Sequence, residues 1–380
     1  MRLSPVLAET GTYPFVRLEQ AKRRLQAAGV ELIDFGKGDP MEPTHPRIRA
    51  ALADAVAERM GYPLAEGLPE LRDAIADWCG RRFGVAVDPN TEVIPTYGSK
   101  EAIFLLAQVV LDDDSDRRVV LTTEPGYPVP DRGAAFAGGE AVPLPLLEEN
   151  AFLPELGAFD EWERVAILWI NYPNNPTGAV APLAFLQRAA ELARAYDFVL
   201  ASDEAYTELW FDTPPHSALE VRERGNVAVF NTLSKRSSMT GYRSGFVAAN
   251  ATLIDALRQF RPSVGTAPQE FVQRASIVAW NDERHVEETR ATYRRKRETL
   301  LPVLQRKGTR VAGSVATMYL WLEVPPEESS EDFAERLLEH GLIVSPGSFF
   351  GAAGEGYWRL ALVPTAAECR RAAEILERVL

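Results

Sequence analysis

Residues 226–250 read NVAVFNTLSKRSSMTGYRSGFVAAN. Two apolar runs of strand length, 226–232 and 245–250, flank a loop of serine, arginine, lysine and glycine. Neither run alternates polar with apolar residues, so each is expected to be a strand buried on both faces. Working outward toward the N-terminus, runs of the same kind stand at 91–97 (TEVIPTY), 117–123 (RRVVLTT), 165–172 (VAILWINY) and 197–203 (DFVLASD). Segments 99–110 and 182–196 between them place apolar residues at helical spacing, for example Phe185, Ala189, Leu192 and Tyr196. Buried strands separated by helices predict an α/β fold, with a mostly parallel central sheet flanked by helices.

Beyond residue 250 the pattern changes. Helical stretches at 266–281 and 283–307 precede a strand at 318–324 (MYLWLEV), a helix at 330–340, a strand at 357–363 (YWRLALV) and a final helix at 365–378. This predicts a smaller α+β domain formed by the C-terminal part and the N-terminal segment; helices are expected near 15–28 and 46–58, a stretch that can pack with either body. The expected division is 1–45, an N-terminal segment packing with the small domain, then 46–282, the large domain, and 283–380, the small one.

Composition narrows the function. The 380 residues are 46% hydrophobic and 25% charged, the balance of an ordinary folded protein. Acidic residues number 54 against 41 basic, and the net charge of -13 repels phosphate backbones and anionic lipid, so neither nucleic acid nor membrane is an expected partner. No apolar run approaches the roughly 18 residues of a membrane span, and no signal peptide is read behind MRLSPVLAETG, so the expected location is the cytoplasm. Cys79 and Cys369 are far apart, and His45, His216, His285 and His340 are scattered. Neither a disulfide framework nor a metal site is expected.

One compositional fact is sharper. Lysine occurs only at 22, 37, 100, 235, 296 and 307, all other basic residues being arginine. A GC-rich genome is the plain explanation of such a bias. Where arginine is this favoured, a retained lysine still invites the question of what only an amine can do: shed its proton and attack a carbonyl.

In a parallel sheet, ligands bind beyond the carboxyl ends of the strands, and the residues there are the chemically unusual ones. Gly98-Ser99-Lys100 turns into a helix, either as a plain N-cap or as a phosphate seat. Pro173-Asn174-Asn175-Pro176-Thr177-Gly178 makes a stiff loop that can present the Asn175 amide to a ligand oxygen. Asp203 ends an apolar strand, where a carboxylate is costly unless a cation or a protonated ring nitrogen meets it; a helix cap is the plainer reading. Lys235 also follows an apolar strand, and burial there would lower its pKa and make it a nucleophile, with Arg243 eight residues on as a planar fork for phosphate. Each feature alone has an ordinary explanation. Together, four strand ends would supply a phosphate seat, an oxygen-binding amide, a carboxylate and an imine-forming lysine.

GSKEA, NYPNNPTG, SDEAY and SKRSSMTGYRSGF, in this order and at this spacing, resemble the class I and II aminotransferases, fold-type I enzymes that use pyridoxal 5'-phosphate. The resemblance spans essentially the whole chain. It implies that Lys235 holds the cofactor aldehyde as a Schiff base and then moves a proton from the substrate α-carbon. It implies that Asp203 keeps the pyridine nitrogen protonated, that Asn175 and Tyr206 bind the phenolic oxygen, and that Tyr127 and Ala205 lie against the two ring faces. Ser99, Lys100, Thr232, Ser234 and Arg243 would surround the phosphate. Arg359, in YWRLALV, would grip the substrate α-carboxylate. Tyr62 would reach the phosphate of a neighbouring subunit, which implies a homodimer with a shared site. Tyr13, Lys37 and Gly38 fall where relatives line the substrate mouth.

The SKRS and GYRSGF runs look most like bacterial N-succinyldiaminopimelate aminotransferases of lysine synthesis, paired with 2-oxoglutarate and glutamate, although Ser238 stands where asparagine is expected in that subgroup. On an acidic chain, a dicarboxylate needs local cations: Lys37, Arg17 and Lys100 are the candidates beyond Arg359, and Lys37 also reads as a solvated turn residue. The alternatives are an aspartate or broad-specificity aminotransferase and a pyridoxal-dependent β-lyase. A transcription regulator of this fold would carry an added DNA-binding domain, whereas the enzyme-like pattern here starts almost at once. A hydrolase would need a G-x-S-x-G element that the sequence lacks.

Overall fold

The computed structural model describes residues 1, 4–9, 14–27, 29–112, 115–265 and 267–380, with backbone alone at 9, 14–19 and 21. Tyr13 and the side chain of Arg17 lie outside the described residues. In chain order the strands are β1 (Ile33–Asp34), β2 (Val93–Thr96), β3 (Val119–Glu124), β4 (Glu140–Pro145), β5 (Val165–Asn171), β6 (Val199–Asp203), β7 (Val227–Thr232), β8 (Gly245–Ala249), β9 (Val311–Gly313), β10 (Tyr319–Glu323), β11 (Leu342–Ile343), β12 (Ser345–Pro346) and β13 (Tyr357–Ala361).

Seven of these form the central sheet in the order β2-β8-β7-β6-β5-β3-β4. Within it β8 alone runs antiparallel to its neighbours β2 and β7. Every residue of β5, β7 and β8 is buried, as their unbroken apolar composition requires. Successive side chains go to opposite faces: Val227 and Val229 of β7 join one core cluster, Ala228 and Phe230 the other. Phe246 and Ala248 of β8 divide from Val247 and Ala249 in the same way.

The helices cover both faces. Leu183–Tyr196 lays Leu186, Ala189, Ala190 and Ala193 against one cluster, and Ser99–Val110 lays Ile103, Leu106 and Ala107 against the other. Five helices exceed the sequence reading: the short Pro5–Glu9 and Leu233–Arg236, and the longer Pro69–Phe83, Val129–Phe136 and Ala251–Phe260. Strand β4 exceeds it as well, because EAVPLP carries two prolines; it sits at the sheet edge, paired only with β3, where missing N–H donors are tolerated. The helix expected over 266–281 runs Glu270–Trp280, since Pro268 lies ahead of its first turn.

The C-terminal part carries a second sheet, antiparallel, in the order β12-β13-β10-β9. Parallel to β11 lies β1, with Ile33 opposite Leu342, and Ile33 and Phe35 are buried in the same cluster as Leu320, Leu322 and Trp358. Ala205, Tyr206, Leu209 and Phe211, which follow β6 of the large sheet, also join that cluster. The loop after β6 thus bridges the two sheets. Among the described residues no helix is long and apolar enough to cross a membrane.

Candidate active site

Where the carboxyl ends of β5, β6 and β7 meet the small sheet, a cavity of about 320 Å³ opens. It is lined by Ser99, Lys100, Tyr127, Asn175, Asp203, Ala205, Tyr206, Thr232, Ser234, Lys235 and Arg243 from the large sheet's loops. Lys37 and Gly38 join them from the N-terminal segment, and Arg359 from β13. Of the residues singled out in the sequence, Tyr62 does not line it and stands fully exposed at 103%. Asp39, Asn171, Thr240 and Tyr319 line the cavity without having been singled out. Asn171 left a trace, as a polar residue ending an apolar run, and Asp39 is adjacent to Gly38. Tyr319 reads like any core aromatic, and Thr240 like any loop threonine.

One end of the cavity is built for an anion. The helix Ser99–Val110 starts there behind Gly98, which adopts φ 74° and has no side chain to cap it. A Cβ on Gly98 would stand 2.6 Å from Nη2 of Arg243. That guanidinium is aimed by the carbonyls of Thr240 (2.9 Å) and Tyr97 (3.1 Å). The Thr232 hydroxyl donates to Ser244 O at 3.0 Å and lies 2.9 Å from the Ser234 hydroxyl. Lys100 is pushed below its usual range by burial and by the charges of Arg243 and Arg132, the mark of cations gathered close together. A glycine turn, amides at a helix start, two hydroxyls and clustered cations fit a phosphate group.

The floor carries two buried titratable groups. Asp203 ends β6, 7% exposed, and among the described residues its carboxylate accepts only the Ala205 amide, at 3.2 Å. Burial raises its pKa to about 7, against the pull of that amide and the Lys235 charge. A carboxyl so placed fits a cationic N–H donor. Lys235 sits in the short helix Leu233–Arg236 that follows β7, and its amine donates to Gly38 O. Burial lowers its pKa to about 8, opposed by Asp39 and aided by Arg359 and Arg243. Near neutrality this amine is far more often unprotonated than a surface lysine.

Asn175 is held by a loop that Asn174 organises. The Asn174 carboxamide oxygen accepts from Thr177 N (3.0 Å) and Thr177 Oγ1 (2.7 Å), and its backbone N–H donates to the Ala179 carbonyl at 2.8 Å. All of these residues are buried. The Asn175 side-chain oxygen accepts from Arg359 Nη1 at 2.8 Å, so its Nδ2 is the end that can donate to a ligand oxygen. Arg359, 2% exposed, also donates through Nη2 to Gly36 O at 2.6 Å and Ser345 Oγ at 3.3 Å. The Tyr206 hydroxyl lies 2.8 Å from that of Tyr319. Phosphate seat, carboxyl, amine and phenol donor together fit pyridoxal 5'-phosphate.

The family model for aminotransferase class I and II matches residues 30–376. An LL-diaminopimelate aminotransferase of Aquifex aeolicus is 41% identical over 378 residues, covering 97% of this chain and 95% of the relative. One of Nitratidesulfovibrio vulgaris is 38% identical over 370 residues, covering 95% of each. The solved structure of a probable N-succinyldiaminopimelate aminotransferase from Thermus thermophilus superposes with a TM-score of 0.89 at 30% identity, over 96% of this chain and 100% of that one.

Proposed function

The chain belongs to the class I and II aminotransferases, and on that premise we propose that it transfers the amino group of a diaminopimelate to 2-oxoglutarate, with free LL-diaminopimelate as the donor. The family, the fold and the use of pyridoxal 5'-phosphate are common to the matched proteins; the substrate and the role of each residue are this proposal.

Bound in the cavity, pyridoxal 5'-phosphate supplies an aldehyde for the amino group and a protonated ring that draws electrons from the substrate α-carbon. Lys235 Nζ, with its lowered pKa, would hold the aldehyde carbon and would serve as the base for the substrate α-proton. Asp203 would retain the proton on the ring nitrogen. That interaction offsets the cost of its burial. Tyr206 and Asn175, which line the cavity, would donate to the phenolic oxygen, and Tyr127 and Ala205 would bound the ring. Ser99, Lys100, Thr232, Ser234 and Arg243 take the phosphate. Arg359 exchanges its protein acceptors for the substrate α-carboxylate, which a guanidinium grips with two parallel N–H bonds.

One observation carries the choice of donor: Lys37 and Asp39, opposite charges on either side of Gly38, line the same cavity as Arg359. A pair of opposite charges suits a far end that bears both an ammonium and a carboxylate, as free diaminopimelate does. Succinylation turns that ammonium into a neutral amide. The similarity to the Thermus thermophilus protein keeps the N-succinyl donor as the second reading.

The test is a panel of amino donors with the cofactor-loaded protein and 2-oxoglutarate: free and N-succinyl LL-diaminopimelate, aspartate and glutamate. Free diaminopimelate should exceed the succinyl form in kcat/KM by about tenfold, one charge pair's worth of discrimination. The reverse ranking would overturn the assignment, and pyruvate with ammonia released from L-cystathionine, a donor with a β-thiolate leaving group, in the absence of 2-oxoglutarate would reveal a β-lyase. Lys235→Ala should lose the visible absorbance and turnover together.

A homodimer is part of the proposal. Val56, Met60, Tyr62 and Leu64 are all exposed, an apolar strip that a second copy would cover while Tyr62 reached the phosphate of the other site. Light scattering should give twice the mass of one chain, and Tyr62→Phe should weaken cofactor retention without changing that mass.

A further inference from the structure

Tyr319 opens β10 of the small sheet, and Tyr206 follows β6 of the large one. Both are buried, their rings meet edge to face with centroids 5.4 Å apart, and their hydroxyls are 2.8 Å apart. The Arg359 guanidinium rests over the Tyr319 ring, 4.3 Å from its centroid. Gly38 lies against the Tyr319 hydroxyl so closely that any Cβ at position 38 would overlap it. One tyrosine therefore touches the arginine assigned to the substrate carboxylate and the tyrosine assigned to the phenolic oxygen.

We propose that Tyr319 is a positioning residue whose hydroxyl orients and strengthens Tyr206 as a donor and whose ring seats Arg359. The proposal rests on the cofactor reading above. Each hydroxyl has one proton. When Tyr206 donates outward to a phenolic oxygen, it can meet Tyr319 only as an acceptor, so Tyr319 must donate to it. A hydroxyl that accepts a hydrogen bond becomes a stronger donor, and the chain from Tyr319 through Tyr206 then stabilises negative charge on the phenolic oxygen. Remove the Tyr319 hydroxyl and that oxygen relies more on the proton of the neighbouring lysine nitrogen, which then leaves at higher pH.

The experiment is a pH titration of the visible absorbance of the cofactor-loaded protein, in wild type, Y319F, Y206F and the double variant. Y319F should raise the midpoint by about half a pH unit, the equivalent of a net hydrogen bond. It should leave KM for amino acid within about twofold, since the ring stays under Arg359. Y206F should shift the midpoint further, and Y206F/Y319F no further than Y206F alone, because both act through one oxygen. Y319L, which removes the ring as well, should also raise KM for amino and oxo acid about fivefold. An unmoved midpoint in Y319F, or shifts that add in the double variant, overturns the proposal alone. A wild-type protein with no titrating visible band overturns the cofactor reading and this proposal with it.

Discussion

Asn171 and Asp203 are register partners across β5 and β6, and the Asn171 amide donates to the Asp203 carbonyl at 2.8 Å while its side-chain oxygen accepts the Asn175 N–H at 2.9 Å. One buried side chain thus fixes the backbone at both the carboxyl proposed for the ring nitrogen and the amide proposed for the phenolic oxygen. Asn171→Ala leaves a buried carbonyl and a buried N–H without partners, a cost of about 1–3 kcal/mol. Melting temperature should fall in the cofactor-free protein, and cofactor dissociation should speed up as well. A variant that melts lower but keeps wild-type retention would confine Asn171 to stability.

Asp203→Asn separates the cost of burial from the gain on binding. With its pKa raised to about 7, the native carboxyl binds a proton that the unfolded chain has released between about pH 4 and 7. Wild-type stability therefore falls through this group as pH rises across that window. Without cofactor, the variant should melt above wild type near pH 8, and the gap should close toward about pH 5. With cofactor the order should reverse, as the ring nitrogen loses its partner. A gap that widens on acidification would contradict the titration.

Arg359→Lys keeps the charge and loses the planar fork. The substituted ammonium cannot match two carboxylate oxygens at once or spread over the Tyr319 and Phe350 rings as the guanidinium does, 4.3 and 4.6 Å from their centroids. Loss of kcat/KM should be about 10- to 100-fold for both amino and oxo acid, carried mainly by KM. Equal kinetics for lysine and arginine at this position would place the carboxylate elsewhere.

Lys37→Ala should raise KM for dicarboxylate substrates more than for alanine, and Asp39→Asn should narrow the preference for free over succinylated diaminopimelate. Steady-state kinetics on matched substrates reads both. Uniform changes across the panel would remove the two residues from specificity.

The strand-end chemistry was legible because each element is local. Unbroken apolar runs marked β5, β6, β7 and β8, and polar residues at or shortly beyond the ends of the first three, Asn175, Asp203 and Lys235, line one cavity. The proline-bearing edge strand β4 and the helix Pro69–Phe83 gave weaker signals, the first for lack of β-formers, the second for its mixed surface. Thr240 and Tyr319 could not be singled out, since nothing in their neighbours distinguishes a cavity wall from a turn or a core.

By itself the sequence determined the class of sheet and the candidate reacting groups at its edge, because a strand covered on both faces must be apolar throughout and its exit loop is where polarity can return. Only the tertiary structure decided which distant groups share that edge. Arg359 reaches Asn175 across 184 residues, Tyr319 meets Tyr206 across 113, and Lys235 donates to Gly38 O across 197. These contacts exist because the small sheet and the N-terminal segment dock on the loops of the large one through buried apolar surface, and no local pattern encodes where two such surfaces meet.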